Sequence, residues 1–198
     1  MKSISELSIV NYPHPALRYA AKPLKRVDAR LSEIVRRMFD LMYEHRGVGL
    51  AAIQVNIPLQ LFIMNPSGQE GEGTETVMIN PVISRPRGTD IAEEGCLSLP
   101  GIHGDVPRAV TVRVNAYSLD GKEIDRDFTD YEARIIQHET DHLHGRLFVD
   151  RLKERDAAQI EEELELLSAE FYSKQRDGSI GDERSLLAEL AGWEQAYC

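Results

Sequence analysis

Gln137-His138-Glu139-Thr140-Asp141-His142-Leu143-His144-Gly145, residues 137–145, is the stretch from which the rest of the chain is read. Ala133, Ile135, Ile136 and Leu143 recur at helical spacing, so a helix is expected from Tyr131 to a glycine stop at Gly145. Residues four apart share a helix face. His138 and His142 can therefore offer two imidazoles to one metal ion, with Glu139 one position along to move protons. A catalytic ion needs a third protein ligand and one open position. In the longer H-E-x-x-H-x-x-G-x-x-H pattern that ligand is a further histidine. Gly145 fits that pattern, but Phe148, Val149 and Asp150 occupy the neighbourhood where the histidine would fall. Cys96 is the remaining candidate. It stands in Glu93-Glu94-Gly95-Cys96-Leu97-Ser98, where a glycine behind an acidic pair favours a loop or bulge over the packed interior position usual for a lone cysteine.

Upstream, Asp28 reads as the N-cap of a helix over about 30–45, with Leu31, Ile34, Val35, Met38, Leu41 and Met42 on one face and Gly47 to end it. Leu59–Met64 and Val77–Ile83 read as strands, separated by an exposed, mobile, Gly- and Glu-rich loop. Val110, Val112, Val114 and Ala116 alternate with polar residues, Asp120-Gly121 marks a hairpin turn, and residues 123–128 form the returning strand. Residues 9–27, with three prolines, read as an extended arm with turns. Beyond Asp150, Ile160, Leu164, Leu167 and Phe171 predict one amphipathic helix, and Leu186, Leu187, Leu190 and Trp193 another, with a linker between. The expected division is thus residues 1–150 and an acidic helical extension over 151–198.

The net charge of −10 over 198 residues argues against direct nucleic-acid binding, which needs clustered cations. Neither a signal-peptide run nor a bilayer-length apolar stretch is visible, so a cytoplasmic protein with reduced thiols and no membrane association is expected. Cys198 is expected to be a frayed, free thiol.

A third block, Gly47-Val48-Gly49-Leu50-Ala51-Ala52-Ile53-Gln54, lets backbone approach a ligand closely and offers an amide at Gln54. A helix end followed by a glycine turn explains it equally well. Taken in order, GVGLAAIQ, EGCLS and QHETDHLHG resemble the signatures of the peptide deformylase family, and the likeness runs from Tyr12-Pro13-His14-Pro15 to Asp150. The resemblance implies an α+β fold, with antiparallel or mixed sheets packed around a central helix carrying H-E-x-x-H. It implies removal of the formyl group from the N-terminal formyl-methionine of newly made proteins. Cys96, His138 and His142 would hold one divalent ion, iron(II) first, with zinc, nickel or cobalt able to substitute. Glu139 would carry the proton, while Gln54 and the backbone N–H of Leu97 would stabilise the oxyanion. Val48, Gly49, Glu94 and Gly95 would pair with the peptide backbone, and Val48, Tyr131, Ile135 and His138 would line the methionine pocket. Asp141 would orient the helix and its ligands. The ribosome would be a transient partner, and the chain a monomer or weak dimer.

Several positions depart from the commonest pattern of that family. His103 stands where arginine is frequent near the entrance, His14 where aspartate is, Asn56 where glycine is and His144 where asparagine is; Thr140 replaces a larger apolar residue. Asn can supply the left-handed turn that glycine would. Residues 151–198 carry six basic and twelve acidic residues, a net of −6, poorly suited to contact RNA. The expectation is that this tail packs on the body or mediates self-association, and that deleting 154–198 leaves turnover of short formyl peptides intact. Two other readings are a zinc peptidase, which lacks its third histidine here, and a non-catalytic metal module, which would not require Glu139.

Overall fold

The computed structural model describes residues 3–198. Its strands are β1 (Gly49–Ala51), β2 (Leu61–Met64), β3 (Thr76–Arg87), β4 (Asp90–Cys96), β5 (Leu99–Arg108), β6 (Thr111–Tyr117) and β7 (Glu123–Thr129). Its helices are α1 (Ala29–Glu44), α2 (Asp130–Leu143), α3 (Glu154–Gln159), α4 (Glu161–Arg176) and α5 (Glu183–Tyr197). Five strands form an antiparallel sheet in the order β1-β2-β3-β6-β7, and β4 and β5 form a separate hairpin.

The alternation of β2 explains the layering. Leu61 and Ile63 join a cluster with Ile34, Met38 and Met42 of α1, whereas Phe62 and Met64 join one with Ile135 and Ile136 of α2. Successive strand residues point to opposite faces, so an all-apolar strand is one covered on both. A fully buried side chain such as Phe62 contributes about 2–3 kcal/mol. On β6 only Val112, Val114 and Ala116 are buried; Arg113 faces outward to ion pairs with Asp125 and Asp127 on β7. The fold is thus α+β, with α2 central.

The expected elements appear close to their expected bounds, and the differences have physical reasons. Asp28 does cap α1, its side chain accepting from Leu31 N–H at 2.9 Å. The left-handed residue beyond that helix is Arg46 (φ 58°), not Gly47. Gly47 is needed for close approach instead, since a Cβ there would lie 2.7 Å from Leu97 Cδ1. Gly145 (φ 68°) closes α2 as expected. The loop between β2 and β3 is exposed, yet stitched by Asn65, whose amide donates to Gln69 O and Glu72 O at 3.2 and 2.8 Å. Residues 9–27 contain a short 3-10 turn, Pro15–Arg18, in an otherwise extended run. β4 and β5 were not foreseen, because their glycines and exposed polar residues break the alternation that marks a strand, and β1, at three residues, is too short to show one.

In the tail, Leu190, Trp193 and Tyr197 of α5 are buried in the main clusters. Tyr197 O–H donates to Asp28 at 3.0 Å, and Tyr19 O–H to Glu194 at 2.8 Å. Cys198 is not frayed: its N–H bonds Glu194 O at 2.8 Å, and burial raises its thiol pKa. Phe171 of α4 meets the His14 ring edge-on at 6.0 Å.

Candidate metal centre

Cys96 ends β4 at the point where its register with β5 slips, so the expected bulge is present. It turns the sulfur toward α2. There Cys96 Sγ lies 3.4 Å from His142 Nε2, which lies 3.2 Å from His138 Nε2; the three ligand atoms all fall within 4.8 Å of one another. An ion with bonds of about 2.0–2.1 Å to nitrogen and 2.3 Å to sulfur would place tetrahedral ligand atoms about 3.3–3.6 Å apart. The Cys96–His142 and His142–His138 separations lie within about 0.2 Å of those edges.

The electrostatics also favour positive charge at this spot. Burial favours a neutral ring at His138, but hydrogen bonds with Cys96 and Glu94 outweigh it and push the imidazole up to about 10. The proton held there stands where a cation's charge would be. His142, by contrast, is held well below the usual range by burial and by the charge of His138. A carboxylate can only accept, so His138 Nδ1 is the donor to Glu94 Oε2 at 2.9 Å, and its Nε2 is the nitrogen turned to the ligand cluster.

Glu94 is the residue whose part the sequence hid. Its backbone was expected beside the peptide; its side chain is 5% exposed and sits in a buried charge lattice. Arg108 Nε and Nη2 donate to it at 2.9 and 2.8 Å, and Arg134 Nη1 at 2.8 Å. Burial pushes the carboxyl up, yet bonds from Arg108 and His138 override it and hold it at about 2. Arg108 continues to Asp141, which Arg151 also grips. Burying ions costs several kcal/mol each, and the pairing within this lattice offsets that cost. Asp141 is linked to His138 through Arg108 and Glu94. Arg108, Arg134 and Arg151 carry no local motif, and their pairing across 10 to 44 residues of sequence could not be read from spacing.

Glu139 is 4% exposed. Burial is the main cause that pushes it up to about 7, where a carboxyl can both take and return a proton. Its Oε2 has no hydrogen-bond partner among the described residues, and a Cβ on Gly49 would lie 2.4 Å from its Oε1. Gln54 accepts Ala51 N–H at 2.8 Å through Oε1, which orients Nε2 toward Cys96 Sγ (3.4 Å) and Ser98 Oγ (3.2 Å).

These groups border a cleft of about 530 Å³. Val48, Gly49, Gln54, Glu94, Gly95, Cys96, Leu97, Tyr131, Ile135, His138 and Glu139 all line it, and His142 lies behind, 1% exposed. His103 is at the rim, its ring 2.7 Å from where a Gly95 Cβ would be. His144 lies outside the cleft lining, donating from Nδ1 to Thr140 O at 2.8 Å.

A family model described as polypeptide deformylase matches residues 6–158. The chain belongs to the peptide deformylase family. This deformylase is 47% identical over 191 residues to a peptide deformylase of Rhodopirellula baltica, an alignment covering 96% of this chain and 95% of that one. It is 41% identical to the chloroplastic/mitochondrial peptide deformylase 1B of Arabidopsis thaliana, over 85% of this chain and 62% of the other. Among solved structures, a plant peptide deformylase superposes with a TM-score of 0.85 at 40% identity, covering 88% and 95% of the two chains. The Thermotoga maritima enzyme does so at 0.70 and 38%, covering 74% and 97%. Membership makes the deformylase a metal-dependent hydrolase of linear amides, and the Cys96, His138 and His142 cluster fits that dependence.

Proposed function

We propose that this deformylase hydrolyses the formyl group from the N-terminal formyl-methionine of newly synthesised proteins, releasing formate, with Cys96, His138 and His142 holding one iron(II) ion. The convergence of those three donors on one point, beside a buried glutamate, carries the reading. The ion would supply a Lewis-acid charge that polarises the carbonyl and acidifies water. The remaining work belongs to side chains. Glu139 takes a proton from the attacking water and delivers it to the departing amine nitrogen; a carboxyl pushed up to about 7 suits both transfers. Gln54 Nε2 and the Leu97 N–H donate to the oxygen on which negative charge develops; losing one such donor typically costs about 10²–10³ in rate. Val48, Tyr131, Ile135 and the His138 ring offer the methionine side chain an apolar wall. Gly49 at the start of β1, with Val48 just before it, and Glu94–Gly95 of β4 would offer backbone to an extended peptide.

The favoured setting is the cytoplasm, with transient access to nascent chains at the ribosome and no direct contact with RNA. The net charge of −10 supports the last point, and among the described residues no helix is long and apolar enough to cross a membrane. The decisive test is formate release from formyl-Met-Ala-Ser by protein purified anaerobically with iron(II). Release that stops with a chelator and returns with metal is expected; metal-loaded protein that releases none would reject the activity. Glu139→Ala should retain metal and lose turnover.

A further inference from the structure

Gln54 lies in a four-residue 3-10 turn, Ala52–Val55, and the placement of its amide depends on how that turn is closed. The closing residue is Asn56, in the left-handed region at φ 62°, ψ 31°. Its N–H bonds Ile53 O and the next, of Ile57, bonds Ala52 O, both at 3.0 Å. Asn56 is 5% exposed. Its Nδ2 donates to Glu189 Oε2 at 2.9 Å, and its Oδ1 has no partner among the described residues. The buried amide that closes the Gln54 turn is thus anchored by a carboxylate 133 residues later in the chain, on α5.

On the same side, Val10 N–H donates to Gln54 O at 2.8 Å, and Val10, Asn11 and Glu189 border one crevice between the N-terminal arm and the tail. α5 itself is held by the buried Trp193 and Tyr197, so Glu189 is presented from a fixed helix. Hydrogen bonds to an ionised acceptor are roughly twice as strong as neutral ones. We infer that Glu189 is a positioning residue for catalysis: through Asn56 it fixes the turn that aims Gln54 into the cleft, making α5 part of the active-site scaffold. This rests on the reading of Gln54 as an oxyanion donor. Deleting residues 154–198 is then not neutral, contrary to what the charge of the tail led one to expect.

The test uses the full, metal-loaded chain and formyl-Met-Ala-Ser. Glu189→Ala should lower kcat about fivefold, a typical size for coupling through a neighbouring residue, with KM and bound metal unchanged. Glu189→Gln keeps an acceptor oxygen and should recover most of that loss. Glycine adopts φ 62° freely. In an Asn56→Gly background Glu189→Ala should therefore have no further effect on kcat. A normal kcat in Glu189→Ala, or an equal loss with and without the Asn56 side chain, would overturn the proposal. Gln54→Ala separates the two layers: normal turnover there would remove the oxyanion reading itself, whereas a crippled Gln54→Ala beside a normal Glu189→Ala would remove only the part assigned to Glu189.

Discussion

Gly49 has no side chain, and the Glu139 carboxylate lies where its Cβ would be. Gly49→Ala must push the carboxylate aside, and with Glu139 as the proposed proton carrier a misplacement of about 1 Å costs on the order of 10² in rate. The expected outcome is a kcat lower by about that factor with metal content unchanged, measured by formate release and metal analysis. Glu94→Gln acts differently: it keeps the shape and removes the charge that orients His138 and pairs with Arg108 and Arg134. Partners of this kind typically contribute 10–100-fold to metal affinity or activity. Chelator competition should show a loss of that size, and unchanged affinity would remove Glu94 from the metal centre. The residues proposed for the site, Cys96, His138, His142, Glu139 and Gln54, were legible as candidates because each sits in a short local motif. The charge lattice behind them was not, since Glu94, Arg108, Arg134 and Asp141 meet only after β4, β5 and α2 have folded together.

At the scale of elements, Asp28 joins two helices, capping α1 through Leu31 N–H and accepting from Tyr197 O–H of α5. Its carboxyl is held below the ordinary value of 3.8, chiefly by the Leu31 N–H. The lowered folded-state pKa means that this contribution is fully present above the unfolded value and is lost as pH falls below 3.8 through the folded value. Asp28→Asn still caps and should weaken that acid dependence, whereas Asp28→Ala should cost about 1 kcal/mol at neutral pH. Denaturant unfolding between pH 3 and 7 would distinguish the two substitutions. Helices with a strong apolar face, such as α1, were read almost to the residue. The strands β1, β4 and β5 were hidden because they serve the cleft: their glycines admit neighbours, and several of their side chains stay exposed at its edge.

For the whole molecule, the family match ends at residue 158, yet the core does not. Trp193 is 3% exposed, with the Arg30 guanidinium 5.4 Å from its ring centre. Trp193→Ala should cost about 3–5 kcal/mol. At this chain length that corresponds to a melting temperature lower by about 10 °C, readable by calorimetry. An unchanged melting temperature would mean that α5 is dispensable to the body. The buried charge lattice has a consequence of another kind. Arg108 of β5 is bonded to Glu94 of β4 and to Asp141 of α2, while Arg134 of α2 reaches back to Glu94 and to Val106 O. The hairpin and the helix are riveted to each other, so the groove between them is cut before any peptide arrives. A ligand meeting it waits for no door to swing, and association should proceed at an ordinary docking rate of about 10⁵–10⁷ M⁻¹s⁻¹ with no slower opening step behind it.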